Sequence, residues 1–294
     1  MKAPAFSYSR PDTVEATCDI LAEHGGDAKI LAGGQSLMAT LNLRLSAPAL
    51  LVDINRIASL KGLSVTPDGA HLRIGALVRH VEVAESALVS DRVPLVSMAM
   101  THVAHAAIRN RGTTCGSLAM ADPSAEMPAC AVTLEAILVL QSKKDGVRRV
   151  PASQFFFGLY ETARRDDEVL VEVLFPCRQP DERFGFDELS RRHGDFAMVG
   201  VAAKAHYAGG KISGLRLVVF GTDPMPIRSV SAARIAEGQS WSVALGKQIA
   251  AEAVQELDPD DNMFGGPAVK RRQAAALISR VLAATFGESN KTHG

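Results

Sequence analysis

The chain has 294 residues, about two domains' worth at ~150 each, enough to bury roughly three quarters of its unfolded surface without disulfides or structural metal. Its 32 Lys+Arg balance 32 Asp+Glu, which argues against a nucleic-acid binder. No apolar run reaches the ~18 residues of a transmembrane span, no apolar signal segment follows Met1, and Cys18, Cys115, Cys130 and Cys177 never form C-x-x-C; a cytoplasmic protein with reduced thiols and no zinc or iron–sulfur cluster of its own is expected.

Asp12 reads as a helix cap with Glu15 completing a capping box, and Gly25-Gly26 ends the helix. Lys29 to Ala32 reads as a strand that stops at Gly33-Gly34, Ser36 to Leu45 has helical spacing, and Leu50 to Ile54 is a second buried strand, giving a βαβ-like start. A hairpin follows: Leu63-Ser64-Val65 and Ala70 to Ile74 flank Pro67-Asp68-Gly69. Helical patterns cover 77–86 and 91–105; then come the Gly-rich stretch Arg111 to Ser117, a helix over Glu126 to Leu134, and strands over Ala136 to Leu140 and Val169 to Phe175. Beyond a polar linker, Cys177 to Arg183, strand-like runs at 184–191, 196–207 and 211–220 precede helical patterns at 228–237, 241–256 and 267–286, the order of a separate α+β domain. Residues 288–294 form a polar tail.

Two glycine-rich loops stand out. In Gly33-Gly34-Gln35-Ser36 the glycines permit φ > 0 and close backbone approach, and the amides that follow suit an anion nest at a helix start. The loop is neither G-x-G-x-x-G nor a P-loop, and spacing alone favours an ordinary tight turn over a phosphate cradle. Gly112 to Ser117 is similar in kind, with three hydroxyls. Asp122 and Glu126 follow it, suited either to accept bonds from ribose or ribityl hydroxyls or simply to cap the next helix.

Taken together the motifs are recognisable. Ala32-Gly33-Gly34-Gln35-Ser36-Leu37, Asn42-Leu43-Arg44-Leu45, Asp53-Ile54-Asn55, Ile108 to Thr113, Gly116 to Ala119, Ala121-Asp122-Pro123, Glu168-Val169-Leu170 and Ser190 to Ala197 resemble, in order and spacing, the FAD-binding medium subunit of the molybdenum hydroxylases, the relatives of xanthine dehydrogenase and aerobic carbon monoxide dehydrogenase. The resemblance runs from about residue 3 to 287. It implies an α+β fold with a two-part FAD-binding region of the vanillyl-alcohol oxidase (PCMH) type over 1–56 and 57–177, and a smaller α+β C-terminal domain over 178–287. It implies FAD held by Ala32, Gly33, Gly34, Gln35, Ser36 and Leu37 and by Gly112, Thr113, Thr114, Cys115, Gly116 and Ser117, with Asp122 and Glu126 toward ribityl or ribose hydroxyls. Val103 would be a further cofactor-binding residue, Leu170 would pack against the cofactor, and Glu188 and Phe196 would lie near the flavin ring or its entrance.

The resemblance further implies a heterotrimer, an (αβγ)2 assembly, in which substrate is oxidised at a molybdopterin cytosine dinucleotide–molybdenum centre of a large subunit. Electrons then pass through two [2Fe–2S] clusters of a small subunit to FAD on this chain and on to an external acceptor. The alternatives are a stand-alone flavoprotein oxidoreductase with its own substrate and a flavin-free scaffold subunit. Three positions depart from the family pattern: Cys115 replaces a usual Gly, where a β-carbon must avoid strain and the ligand, Glu188 stands where some relatives have Lys, and Phe196 where some have Tyr. No catalytic residues are expected, since no nucleophile elbow or Ser-His-Asp order is present. Nor is a metal site: His102 and His105 lack a third ligand and read as surface or loop histidines. Arg109 and Arg111 suit phosphate neutralisation, a partner contact or a solvated loop equally, and Asp166-Asp167-Glu168 reads as a solvated turn.

Overall fold

The computed structural model describes residues 2–261 and 265–287; the polar tail at 288–294 lies outside the described residues. After a short strand β1 (Ser7–Ser9), helix α1 (Val14–His24) is capped by Thr13, not by Asp12: the Thr13 hydroxyl accepts the Ala16 N–H at 3.1 Å. Thr13 has the extended dihedrals (φ −134°, ψ 160°) that set a side-chain oxygen over the first turn. Strand β2 (Ala28–Leu31), helix α2 (Leu37–Asn42) and strand β3 (Leu50–Asp53) follow. The three strands form a parallel sheet in the order β1-β3-β2, with β3 buried along its length. Helix α2 is shorter than the 36–45 expected because the chain turns into the left-handed region at Arg44 (φ 58°).

Strands β4 (Leu63–Val65) and β5 (His71–Gly75) make the expected hairpin, its turn held by Asp68, whose carboxylate accepts the Thr66 hydroxyl (2.6 Å) and the Ala70 N–H (3.0 Å). Six helices then run to the next strand: α3 (His80–Glu85), α4 (Ala87–Arg92), α5 (Pro94–Met100), α6 (Ala106–Arg109), α7 (Thr114–Met120) and α8 (Glu126–Leu134). The single helix expected over 91–105 is broken by Pro94, which lacks the N–H needed to continue α4 and instead opens α5. Next come β6 (Ile137–Ser142), β7 (Gly146–Pro151), a two-stranded ribbon of β8 (Phe156–Gly158) and β9 (Glu161–Thr162), and β10 (Glu168–Pro176). An antiparallel sheet of order β4-β5-β10-β6-β7 results, with β10 in its centre.

The remainder is β11 (Glu182–Leu189), β12 (Val199–Ala208), β13 (Lys211–Phe220), β14 (Ile227–Arg228), α9 (Val230–Ala236), α10 (Val243–Ala253) and α11 (Pro267–Phe286). The four strands form an antiparallel sheet in chain order, and a core of Val199, Val201, Leu217, Ile249, Ile278 and Leu282 lies between it and the helices. By packing, the chain divides into two units. The first comprises Met1–Arg92, Ala104–Ala121 and Glu135–Cys177. The second adds Val93–Val103 and Asp122–Leu134 to everything beyond Cys177, because α5 packs on β11 and α8 on β12 and β13.

Glu168, expected in a solvated turn, is fully buried where β10 begins. It accepts two hydrogen bonds from Arg148 (2.5 and 2.8 Å), the Arg165 N–H (2.7 Å) and an ion pair from Arg165 (3.0 Å). Burial opposes its charge, but the Arg148 and Arg165 bonds outweigh burial and hold the carboxyl below the usual range. A group with a depressed folded pKa stabilises above its unfolded value and loses that stabilisation as the pH falls through the folded one. Glu168→Gln should therefore cost about 3 kcal/mol at neutral pH, with the deficit shrinking in acid below the usual value of 4.5. Urea unfolding of both proteins at neutral and acid pH checks this, and a deficit independent of pH contradicts it.

Candidate functional site: two glycine loops in contact

Leaving β2, the chain turns through Gly33 and Gly34 (φ 73°) into α2. Within the described residues, the backbone N–H groups of Gly33, Gly34, Gln35 and Ser36 have no acceptor in the chain. Four adjacent amides left open at a turn are what an oxyanion ligand requires.

The second loop is pinned rather than open. The Gly112 N–H donates to Ile108 O (2.7 Å), the His80 N–H to Gly112 O (2.9 Å) and the Thr114 N–H to Val78 O (3.4 Å). Its second half is not loop but α7, begun by Thr113, whose hydroxyl accepts the Gly116 N–H (3.0 Å) and whose carbonyl accepts the Ser117 N–H (3.0 Å). Cys115 sits in the first turn of α7, only 2 % exposed, with its thiol donating to Ile74 O on β5 (3.6 Å) and pushed up by burial. Its φ is not positive, so the β-carbon adds no backbone strain, and the residue is a packed thiol facing inward. Beside it, the buried Thr114 hydroxyl has no partner.

The two loops touch. A β-carbon on Gly33 would stand 2.5 Å from Arg111 O and 2.8 Å from the Gly112 Cα, so only glycine allows this approach. The first loop is thereby brought against the start of the second within the first unit, and the open amides of Gly33 to Ser36 fit the oxygens of a dinucleotide phosphate. Leu170, also in this unit, is buried on β10 opposite Leu140.

Val103, Asp122, Glu126, Glu188 and Phe196 belong to the second unit. Val103 is buried in the turn after α5, and Phe196 is 64 % exposed between β11 and β12. The Asp122 carboxylate accepts the Ser124 N–H (2.9 Å), a local turn that ends before α8 begins at Glu126, so it does not cap that helix. Arg109 donates to Ala104 O (2.8 Å), while Arg111 is exposed. His102 lies beside Glu188 and His105 precedes α6; among the described residues no group of three or more His, Cys, Asp or Glu is placed to hold a metal.

Sequence reading passed over Arg79, His80 and the side chain of Asn55, all of which lie against the loops. The Asp53-Ile54-Asn55 signature was the available signal for Asn55. His80, pushed down to about 4 by burial and Arg109, is a neutral ring packed under Gly112.

Glu126 opens α8 and Glu188 lies on β11, both buried. Burial, with the neighbouring Glu126 and Asp187, pushes Glu188 up to about 8; burial and Asp122 push Glu126 up to about 7. One Glu188 oxygen is unpartnered, and the other stands 3.7 Å from His102 Nδ1, whose pKa burial lowers. This is a pair of near-neutral groups rather than an ion pair. The unfolded Glu188 ionises near 4.5 and the folded one near 8, so stability falls as pH rises through that window. Glu188→Gln should gain stability relative to wild type across it, on the order of 1 kcal/mol at its upper end. Urea midpoints measured along a pH series test this; a flat difference refutes it.

Residues 4–178 match the family model described as FAD binding domain in molybdopterin dehydrogenase, and residues 184–285 that of the CO dehydrogenase flavoprotein C-terminal domain. The chain is 37% identical over 293 residues to the 6-hydroxypseudooxynicotine dehydrogenase complex subunit alpha of Paenarthrobacter nicotinovorans, covering 99% of this chain and 98% of that one. It is 36% identical to the caffeine dehydrogenase subunit beta of Pseudomonas sp. (strain CBB1), covering 96% and 95%. In the solved carbon monoxide dehydrogenase from Hydrogenophaga pseudoflava, one chain superposes with a TM-score of 0.94 at 32% identity, covering 97% of this chain and 99% of that one. On these grounds the chain belongs to the molybdopterin dehydrogenase flavoproteins, the FAD-binding subunits of molybdenum hydroxylase oxidoreductases.

Proposed function

We propose that this chain is the FAD-carrying electron-transfer subunit of a heterotrimeric molybdenum hydroxylase. The observation that carries the reading is the contact of two glycine loops with four open amides at the junction. Ala32 to Ser36 wrap the pyrophosphate, followed by Leu37, each charge-assisted bond contributing ~1.5–3 kcal/mol, and Gly112 to Ser117 form the other wall of the phosphate and ribityl site. Glu126 and Asp122 serve the ribityl or ribose hydroxyls, Val103 is a further cofactor-binding residue, Leu170 packs on the cofactor, and Glu188 and Phe196 lie toward the ring. FAD held there would supply the redox chemistry of a relay between a partner's iron–sulfur clusters and an external acceptor. This chain's own residues bind and orient; no general acid or base among them is required.

The same proposal assigns a large molybdopterin subunit and a small [2Fe–2S] subunit as partners in an (αβγ)2 assembly, and the boundaries 1–56, 57–177 and 178–287 to its subdomains. Support for a complex comes from relatives whose own names are those of complex subunits. A cytoplasmic location accords with four buried cysteines outside any disulfide; among the described residues no helix is long and apolar enough to cross a membrane.

Purified with its partners, the chain should carry extractable FAD, and the stripped chain should quench flavin fluorescence saturably on titration. Gly33→Ala, which drives a β-carbon into the Arg111 carbonyl, should weaken that binding at least about tenfold. Purification without flavin and absence of saturable binding would refute the reading.

A further inference from the structure

We propose that Asn55 and Arg79 are positioning residues that staple the two glycine loops together and so set FAD affinity, an inference that rests on the FAD-binding reading above. Asn55, just past β3, donates through Nδ2 to Ala32 O in the first loop (2.8 Å). Its Oδ1 accepts from Arg79 Nη2 (2.5 Å), and Arg79 Nη1 donates to Arg111 O at the second loop. The Arg111 carbonyl that receives this guanidinium is the atom against which Gly33 packs. One carbonyl is thus held from two sides, by a glycine that cannot be enlarged and by a planar fork that fixes its distance from the first loop.

The staple is itself oriented. Asp53 Oδ1 accepts from the Asn55 N–H (2.8 Å) and from Asn55 Nδ2 (2.6 Å), which leaves Oδ1 of Asn55 turned to Arg79. Asp53 Oδ2 accepts the Tyr8 hydroxyl (2.5 Å) and lies 3.5 Å from Arg10 Nε. At the other end the Arg79 N–H donates to Glu82 (2.8 Å), opening α3, and the next amide, that of His80, holds Gly112 O (2.9 Å). A guanidinium is needed rather than a charge alone: two acceptors on different loops are met by two nitrogens of one plane, and an ammonium at the end of a lysine stem reaches one of them. None of these groups touches the open amides of Gly33 to Ser36, so the staple acts on the ligand through the loops it spaces.

A cavity of about 450 Å³ lined by Arg10, Asp53, Asn55, Lys61, Arg79 and Arg111 opens on the staple, so a small cation can reach the place of a deleted Arg79 side chain. The test uses the full chain stripped of flavin and titrated with FAD by fluorescence quenching. Arg79→Ala and Asn55→Ala should each weaken binding by roughly tenfold, and the double variant by little more than either single one, because both cut the same link. Millimolar guanidinium should restore much of the affinity of Arg79→Ala while leaving wild type and Gly33→Ala unchanged; Arg79→Lys should fall between wild type and Arg79→Ala. Apo-protein unfolding midpoints separate misfolding from mispositioning, since a folded variant with weak, guanidinium-rescued binding supports the staple. Wild-type-like affinity in Arg79→Ala and Asn55→Ala, or additive losses without rescue, overturns it while leaving the FAD reading intact. Failure of the wild type itself to bind FAD overturns the FAD reading first.

Discussion

Where Gly33 faces the Arg111 carbonyl, two backbones come so close that no side chain fits between them. That steric limit decides much else in the first unit. It brings the end of β2 beside the turn that follows α6. A loop with its amides open is costly unless water or a ligand meets them. The second loop shows the opposite solution, with its polar groups tied to Ile108, Val78 and His80. One wall is tied back to the chain through the Gly112 and Thr114 backbone, and the other is left with donors to offer.

The second unit shows another use of desolvation. Among the described residues, Glu126 and Glu188 are buried carboxyls with no cation shown paired to either, and His102 is too desolvated to supply one. Such groups lower their cost by keeping a proton rather than by pairing. Glu168 is the counter-example in the same chain: two arginines meet it, and it stays charged. Whether a buried carboxyl is ionised here follows from which donors its neighbours supply, not from burial itself.

Much of the architecture could be read from local pattern. The β4–β5 hairpin was announced by Pro67-Asp68-Gly69, the last three helices by their apolar spacing, and both loops by their glycines. The failures have physical causes. Helix α7 was hidden because Thr-Thr-Cys-Gly is a poor helical sequence, and its start depends on the Thr113 cap. Strand β7 was hidden because Arg148 and Arg149 mask its alternation, one of them serving the buried Glu168. The links of Asn55 to Ala32 and of Arg79 to Arg111 span 23 and 32 residues of sequence, a distance over which no spacing rule operates. Cys115 was marked as a departure on sequence alone, and only the helical first turn shows why sulfur is tolerated there.

The second unit gathers α5 and α8 from the middle of the chain, and α8 is buried along all of its nine residues. The boundary that sequence composition suggests near Cys177 is therefore not a place where the polypeptide can be cut. A gene truncated there would yield a product with two orphaned apolar helices and no sheet to cover them, prone to aggregate rather than fold. Recombination that exchanged the C-terminal part alone would have to preserve the matching faces of these two inserts, so the units are constrained to be inherited as one.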